Sequence, residues 1–90
     1  MDKSCVIYHG LGSKPALSRT KILNNAGYYV LSEFFDYHKE WDKDKGKSLF
    51  NKEFKKIKKV DLIVGISFGG YLAYKLSKAT GIDLLLINPA

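Results

Sequence analysis

Residues 60–70 read VDLIVGISFGG, an apolar run that passes into a serine flanked by glycines. The run from Val60 to Ile66 predicts a strand buried in a sheet, because it is short, apolar and rich in β-branched residues. The next segment, Phe68 to Ala79, predicts a helix that stops at Gly81. A buried strand that turns directly into a helix is typical of parallel α/β sheets.

The rest of the chain continues this alternation on both sides of residues 60–70. Further strands are predicted at Cys5–Tyr8, 28–31 and 83–87, and further helices at 15–25 and 47–59, with a polar and aromatic connection over 33–46. Strands separated by helices at this pace predict repeated βαβ units. We therefore expect one α/β domain over residues 1–90: a three-layer, doubly wound parallel sheet of four strands in the order 2-1-3-4, with flanking helices.

Composition excludes several classes of protein. The 90 residues are 46% apolar and 27% charged, which is the ordinary globular range. The apolar runs are far shorter than the roughly 20 residues of a membrane-spanning helix, and the first of them is too short for a signal peptide, so we expect a cytoplasmic protein without a membrane segment. A single cysteine and two histidines without carboxylates at ligand spacing predict no metal site, and we expect no cofactor.

The net charge of +6 comes from one segment, Lys43 to Lys59. Its apolar residues recur at helical spacing and its lysines occupy the positions between them, which favours an amphipathic helix with a solvated face. A basic segment can also bind nucleic acid. No arginine or base-stacking aromatic residue is interleaved with these lysines, so we do not expect a nucleic-acid partner.

The glycines at 65 and 69 flank Ser67 in a G-x-S-x-G pattern. This pattern is typical of a nucleophile elbow, in which a serine on a sharp turn between strand and helix is lifted above the sheet. Side chains two residues before and after such a serine would collide with their surroundings, so glycine is needed there. We expect Ser67 to be a catalytic nucleophile; the alternative is a glycine turn that carries an idle serine.

A second small-residue loop, YHGLGS at 8–13, follows the first strand. In the predicted strand order this loop and the Ser67 turn flank the same crevice at the sheet edge. The backbone N–H groups of Leu11 and Phe68 are therefore the candidate donors of an oxyanion hole, and Gly10 gives the loop its freedom. We expect His9 to brace the loop by hydrogen bonding rather than to act as a base.

Two other features of the sequence have a plainer interpretation. His38 lies in the aromatic connection and is expected to be solvent-exposed. The aromatic residues around it, Phe34, Phe35, Tyr37 and Trp41, either cover the sheet or form the wall of an acyl pocket, and we favour the cover.

Three stretches, His9–Pro15, Gly65–Tyr71 and Ile87–Ala90, together resemble the small YqiA/YcfP-type esterases of the α/β-hydrolase superfamily. The resemblance spans nearly the whole chain. It implies an α/β-hydrolase-like fold and a carboxyl-ester hydrolase acting on a small-molecule ester without a cofactor. It also implies Ser67 as nucleophile and Leu11 and Phe68 as oxyanion donors.

The triad of that superfamily also needs an acid and a histidine later in the chain than the serine. After Ser67 the sequence offers only Asp83, at the start of the last strand, and no histidine. We therefore expect the acid and base to lie outside this chain, and the domain to be incomplete. The apolar strand 83–87 would then be an open edge able to pair with a protein partner or a second copy.

Two alternatives to a hydrolase stay open at this stage. One is a non-catalytic module of the same fold that binds a protein partner through strand 83–87. The other is an anion or nucleotide site at Gly10–Lys14, although the spacing fits neither common phosphate-binding glycine motif.

Overall fold

The structure is a computed structural model that describes residues 3–10 and 17–87. Within these residues the chain forms four strands and four helices in alternation. They are β1 (Lys3–Tyr8), α1 (Leu17–Asn25), β2 (Tyr28–Ser32), α2 (Tyr37–Asp44), α3 (Lys47–Lys56), β3 (Leu62–Ile66), α4 (Gly69–Thr80) and β4 (Asp83–Ile87).

The four strands form one parallel sheet in the order β2-β1-β3-β4, which confirms the predicted fold class and strand order. The register places Tyr8 of β1 beside Gly65 of β3, and Ile66 of β3 beside Ile87 of β4. The carboxyl ends of β1, β3 and β4 therefore lie at one edge of the sheet. In open α/β sheets this is the edge at which ligands bind.

Helices cover both faces of the sheet. The step from β1 to β2 runs in one direction across the sheet, and the steps from β2 to β3 and from β3 to β4 run in the other. Because such crossovers are right-handed, α1 lies on one face and α2, α3 and α4 lie on the other. The larger core is on the second face, where Val6, Tyr8 and Ile63 pack against Leu72 and Leu76 of α4.

The sequence-based prediction was wrong for part of the segment 33–46, which contains helix α2 rather than only a connection. The Asp36 carboxylate caps the helix by accepting a hydrogen bond from Lys39 N at 3.3 Å, and the helix ends at Lys45 and Gly46, both with positive φ. Its apolar periodicity is limited to Tyr37 and Trp41, one turn apart, which explains why the pattern looked like a connection.

Several predicted boundaries also shift. Strand β1 begins at Lys3 instead of Cys5, β2 ends at Ser32 instead of residue 31, and α4 runs over Gly69–Thr80 instead of 68–79. Helix α3 ends at Lys56 instead of residue 59, and β3 begins at Leu62 instead of residue 60. The residues between them form a turn, in which Val60 N donates to Ile57 O at 3.1 Å. Asp61 then ties the turn to β1, because its N–H donates to Ser4 O and its carboxylate accepts from Ser4 N, both at 2.8 Å.

The lysine-rich segment is the amphipathic helix that its periodicity predicts. Leu49 and Ile57 are buried against the sheet, while the lysines from 47 to 59 are exposed. None of the helices that the structure describes is long and apolar enough to cross a membrane.

Candidate active site

Ser67 lies in the turn that joins β3 to α4. Its φ is +52°, a left-handed conformation that costs a non-glycine residue about 1–2 kcal/mol. The main chain of the turn is fixed from both sides, since Ser67 N donates to Ile87 O of β4 at 2.9 Å and Ser67 O accepts from Gly70 N at 3.0 Å. The side chain is exposed at the carboxyl edge of the sheet. A strained residue that its surroundings hold in place is a common feature of functional sites.

The glycines at 65 and 69 are required by close backbone contacts. A Cβ atom on Gly65 would lie 2.5 Å from the Cα of Gly70 and 2.6 Å from the Cβ of Ala73, where α4 crosses the strand. A Cβ atom on Gly69 would lie 2.2 Å from Tyr8 O and 2.4 Å from His9 O. The first turn of α4 therefore packs directly on the end of β1, as a serine on a sharp elbow needs.

Phe68, the residue after the serine, is the N-cap of α4. Its carbonyl oxygen accepts from Tyr71 N at 3.1 Å, but its own N–H has no hydrogen-bond partner among residues 3–10 and 17–87. An unpaired N–H at the positive end of a helix is a suitable donor for a developing negative charge. The other predicted donor, Leu11, lies outside the described residues.

The ring of His9 is buried directly after β1, and both of its nitrogens are engaged. Phe35 N donates to Nε2 at 2.7 Å, so Nε2 carries no proton, and Nδ1 therefore donates to Gly10 O at 2.8 Å. The ring also stacks on Phe34 and Phe35, with ring centroids 5.5 and 5.7 Å apart. His9 thus links the end of β1 to residues 34–35 and has no free lone pair to offer a serine hydroxyl.

An aromatic group surrounds the start of α4. The Phe68 ring packs against Tyr37 and Trp41 of α2, each with a centroid distance of 5.2 Å, and Trp41 also contacts Tyr71 at 5.9 Å. Phe35 and Tyr37 are buried and cover the sheet, whereas Phe34 is 58% exposed. Helix α2 thereby holds the residue next to Ser67 in place.

A buried carboxyl group behind the site was not predicted from the sequence. Glu53 of α3 is fully buried, and its Oε1 accepts a hydrogen bond from Tyr8 Oη at 2.8 Å. Its other oxygen, Oε2, and the buried Tyr37 hydroxyl have no hydrogen-bond partner in the part of the chain that is described. Burial raises the pKa of the Glu53 carboxyl, and burial together with the neighbouring carboxylate raises the pKa of the Tyr8 hydroxyl.

One feature of the sequence indicates that Glu53 is buried. It lies four residues from Leu49 and from Ile57, and both of these are buried, so the helical period places it on the buried face. Its hydrogen-bond donor, Tyr8, is 45 residues away in the sequence, and only the fold brings the two together.

The remaining candidates for a base or acid lie away from Ser67. His38 is exposed on α2, as expected, and Asp83 is exposed at the start of β4, beside Leu62 and at the opposite edge of the sheet. The Ser67 hydroxyl has no hydrogen-bond partner among the described residues. Residues 3–10 and 17–87 therefore bring together the serine, Phe68, His9, Gly10 and both glycines, but no acid–base pair.

The fold and the turn define an α/β protein with an exposed, strained serine at the carboxyl edge of its parallel sheet. In comparisons with known proteins, a family model described as "Uncharacterised protein family (UPF0227)" matches residues 5–90. The chain belongs to this family. Searches of curated proteins and of solved structures found no match.

Proposed function

We propose that the chain carries the nucleophilic half of a cytoplasmic serine hydrolase that cleaves carboxyl esters. The observation that carries the proposal is Ser67, exposed with φ of +52° between two glycines that tolerate no Cβ atom. Membership of UPF0227 and the resemblance of three sequence stretches to YqiA/YcfP-type esterases support the same activity.

In the proposed reaction, Ser67 Oγ attacks the ester carbonyl carbon and the carbonyl oxygen gains the negative charge. The N–H of Phe68 donates to that oxygen, and we assign the second donor to the N–H of Leu11. One such donor contributes roughly 10²–10³ to the rate of related hydrolases. The acyl group is transferred to Ser67, the alcohol leaves, and water then hydrolyses the acyl-enzyme.

The hydroxyl of Ser67 needs a base to accept its proton. His9 is not that base in the proposal, because both of its ring nitrogens are engaged. We propose that the histidine and the acid of the triad are supplied by residues outside these 90. The role of His9 is to position the loop that begins at Gly10.

A fluorophosphonate probe, which phosphonylates activated serines, tests the proposal on the protein isolated from its own cells. We expect one covalent adduct, which peptide mapping places on Ser67. The Ser67→Ala variant should give no adduct, while Ser18→Ala, which removes an exposed serine of α1, should be labelled like the wild type. A folded protein with no adduct on Ser67 would end the proposal.

A second candidate function is favoured by the edge strand β4. It pairs only with β3 in the described sheet, and Leu85 and Leu86 on its two faces are 43% and 38% exposed. An open apolar edge is a site for strand pairing with another chain. On this account the protein is a non-catalytic module that binds a protein partner, or a second copy, through β4.

Variants of strand β4 distinguish the serine hydrolase from the binding module. Leu85→Lys and Leu86→Lys place charges on both faces of β4 and should abolish partner binding or self-association in analytical ultracentrifugation, without affecting labelling of Ser67. A wild-type protein that sediments as a monomer and co-purifies with no other chain would argue against the binding module.

A further inference from the structure

A cavity of about 610 Å³ lies between the end of α2, the start of α3 and the outer side of α4. We refer to it as the α2–α4 cavity. Its volume falls within the roughly 300–1,000 Å³ of sites that bind small molecules. It is separate from the proposed nucleophile, because Ser67 does not line it and the residues that α4 contributes begin at Leu72.

The inner surface of the α2–α4 cavity is apolar. Trp41 of α2, Phe50 of α3 and Leu72 of α4 form its walls. Leu72 is buried, while Trp41 and Phe50 are half-buried, so their rings present apolar surface to the cavity. Such surface favours an apolar ligand body, because each Å² removed from water contributes about 25 cal/mol.

The rim of the cavity is cationic. Four exposed lysines line it: Lys45 and Lys47 next to the ends of α2 and α3, and Lys75 and Lys78 on α4. No Asp or Glu is among the described residues that line the cavity. These lysines also form no ion pair with a carboxylate within residues 3–10 and 17–87, where the ion pairs involve only Lys56.

The two lysines on α4 are suited to hold one anion together. They are three residues apart, so they lie on the same face of the helix. Each ammonium group lies over a tyrosine ring, Lys75 over Tyr71 at 4.9 Å and Lys78 over Tyr74 at 5.7 Å. Lys78 Nζ also donates a hydrogen bond to Tyr74 Oη at 3.5 Å. Neither ammonium group is paired with a carboxylate among the described residues, so each keeps N–H donors for an anion that reaches the rim.

We propose that the α2–α4 cavity binds a small amphiphilic anion, an alkyl carboxylate, as a ligand site distinct from Ser67. The alkyl chain packs on Trp41, Phe50 and Leu72, and the carboxylate is bound by Lys75 and Lys78. Apolar walls with several unpaired cations at the opening fit this ligand better than a neutral lipid or a cation, which would gain nothing from the lysines.

Trp41 provides the readout, because it is the only tryptophan of the chain and lines the cavity. Decanoate is titrated below its micellar concentration while the Trp41 emission is recorded, with decyltrimethylammonium as the probe of opposite charge. We expect a saturable change with decanoate, a weaker affinity at high salt, and no saturable change with the cation.

Paired variants test the assignment of the rim. Lys75→Gln with Lys78→Gln should weaken decanoate binding about three- to tenfold, as expected for two exposed charges. The control, Lys55→Gln with Lys59→Gln, removes the same charge from exposed positions outside the cavity and should leave the affinity within about twofold. Ser67→Ala should bind decanoate like the wild type, so this result is independent of the proposed hydrolase.

Several results would overturn the proposal. One is that decanoate gives no saturable change in the Trp41 emission. Another is that decyltrimethylammonium binds as tightly as decanoate. A third is that the control pair, Lys55→Gln with Lys59→Gln, weakens binding as much as Lys75→Gln with Lys78→Gln. Binding of an acidic amphipathic peptide in place of decanoate would also overturn it, since the cavity would then be a protein-docking site.

Discussion

Ser67 combines a strained backbone with an exposed position between β3 and α4. The carbonyl of Ile87 and the N–H of Gly70 hold its main chain in a conformation with φ of +52°, in a turn at the carboxyl edge of the sheet. A residue chosen for stability alone would be glycine at this position. Serine at position 67 therefore leaves the protein less stable than glycine would, but it provides a hydroxyl group.

We predict that Ser67→Gly is more stable than Ser67→Ala by about 1 kcal/mol, because only glycine adopts positive φ without strain. Urea denaturation followed by circular dichroism measures the difference. Ala79→Gly, inside helix α4, is the matched comparison and should be destabilised by about 1 kcal/mol. Equal stability of the two Ser67 variants would show that the turn is not strained.

The Glu53 carboxyl makes stability depend on pH. Its pKa in the folded protein is raised above the ordinary value of 4.5 by burial. At pH values below 4.5 the Glu53 carboxyl is protonated in both the folded and the unfolded chain. As the pH rises through the raised pKa, the unfolded chain releases the proton more readily, so the free energy of unfolding falls.

We predict that Glu53→Gln removes this fall, so its stability relative to the wild type increases with pH above about 4.5. Tyr8→Phe is the informative counterpart, because the Tyr8 hydrogen bond lowers the pKa of Glu53 and its loss should widen the pH range of the fall. Unfolding in urea at pH values from 4 to 8 measures both. A pH-independent difference between Glu53→Gln and wild type would contradict the prediction.

At the scale of elements, the candidate site depends on the contact between the end of β1 and the first turn of α4. The strand delivers His9 and Gly10, the helix delivers Phe68, and Gly69 allows them to approach. A larger residue at position 69 would clash with main-chain carbonyl oxygens. These atoms cannot move away as the end of a flexible side chain could.

We predict that Gly69→Ala destabilises the protein by at least about 2 kcal/mol, because the added Cβ would lie 2.2 Å from Tyr8 O. Gly81→Ala is the control. No atom lies within 4 Å of its Cβ position, and only its φ of +77° is unfavourable, so about 1 kcal/mol is expected. Thermal unfolding compares the two; a Gly69→Ala protein as stable as wild type would show that β1 and α4 do not meet here.

The elements differ in how far the sequence predicts them. The strands and α4 were predictable because buried parallel strands are short apolar runs bounded by glycine. Helix α2 was missed because its stability comes from the Asp36 cap and from Tyr37 and Trp41, which pack on Phe68 of a distant element. The site residues were predicted from local sequence patterns. The hydrogen bond from Phe35 N to His9 Nε2 joins residues that are 26 positions apart, so no local pattern reveals it.

At the scale of the whole molecule, the two faces of the sheet are closed by different parts of the chain. Cys5 alternates with Val6, so it faces the side of α1, where it is buried. Burial raises the pKa of its thiol to about 11. A buried thiol that stays protonated reacts with disulfide reagents only when the protein opens.

We predict that Cys5, the only cysteine, reacts with Ellman's reagent at pH 8 at least about a hundredfold more slowly in the native protein than in urea. The rise from 9.0 to about 11 alone lowers the thiolate fraction by roughly that factor. The rate should increase with urea in parallel with global unfolding. Rapid labelling of the native protein would show that the α1 side of the sheet is open.

The proposed reaction requires that Ser67 Oγ attacks the ester and that the N–H of Phe68 donates to the oxygen on which negative charge develops. A crystal structure of the protein after reaction with a fluorophosphonate tests it most directly. We expect phosphorus bonded to Ser67 Oγ, with a phosphonyl oxygen about 2.7–3.1 Å from the Phe68 nitrogen. An adduct on another residue, or a phosphonyl oxygen turned away from Phe68 into solvent, would contradict it.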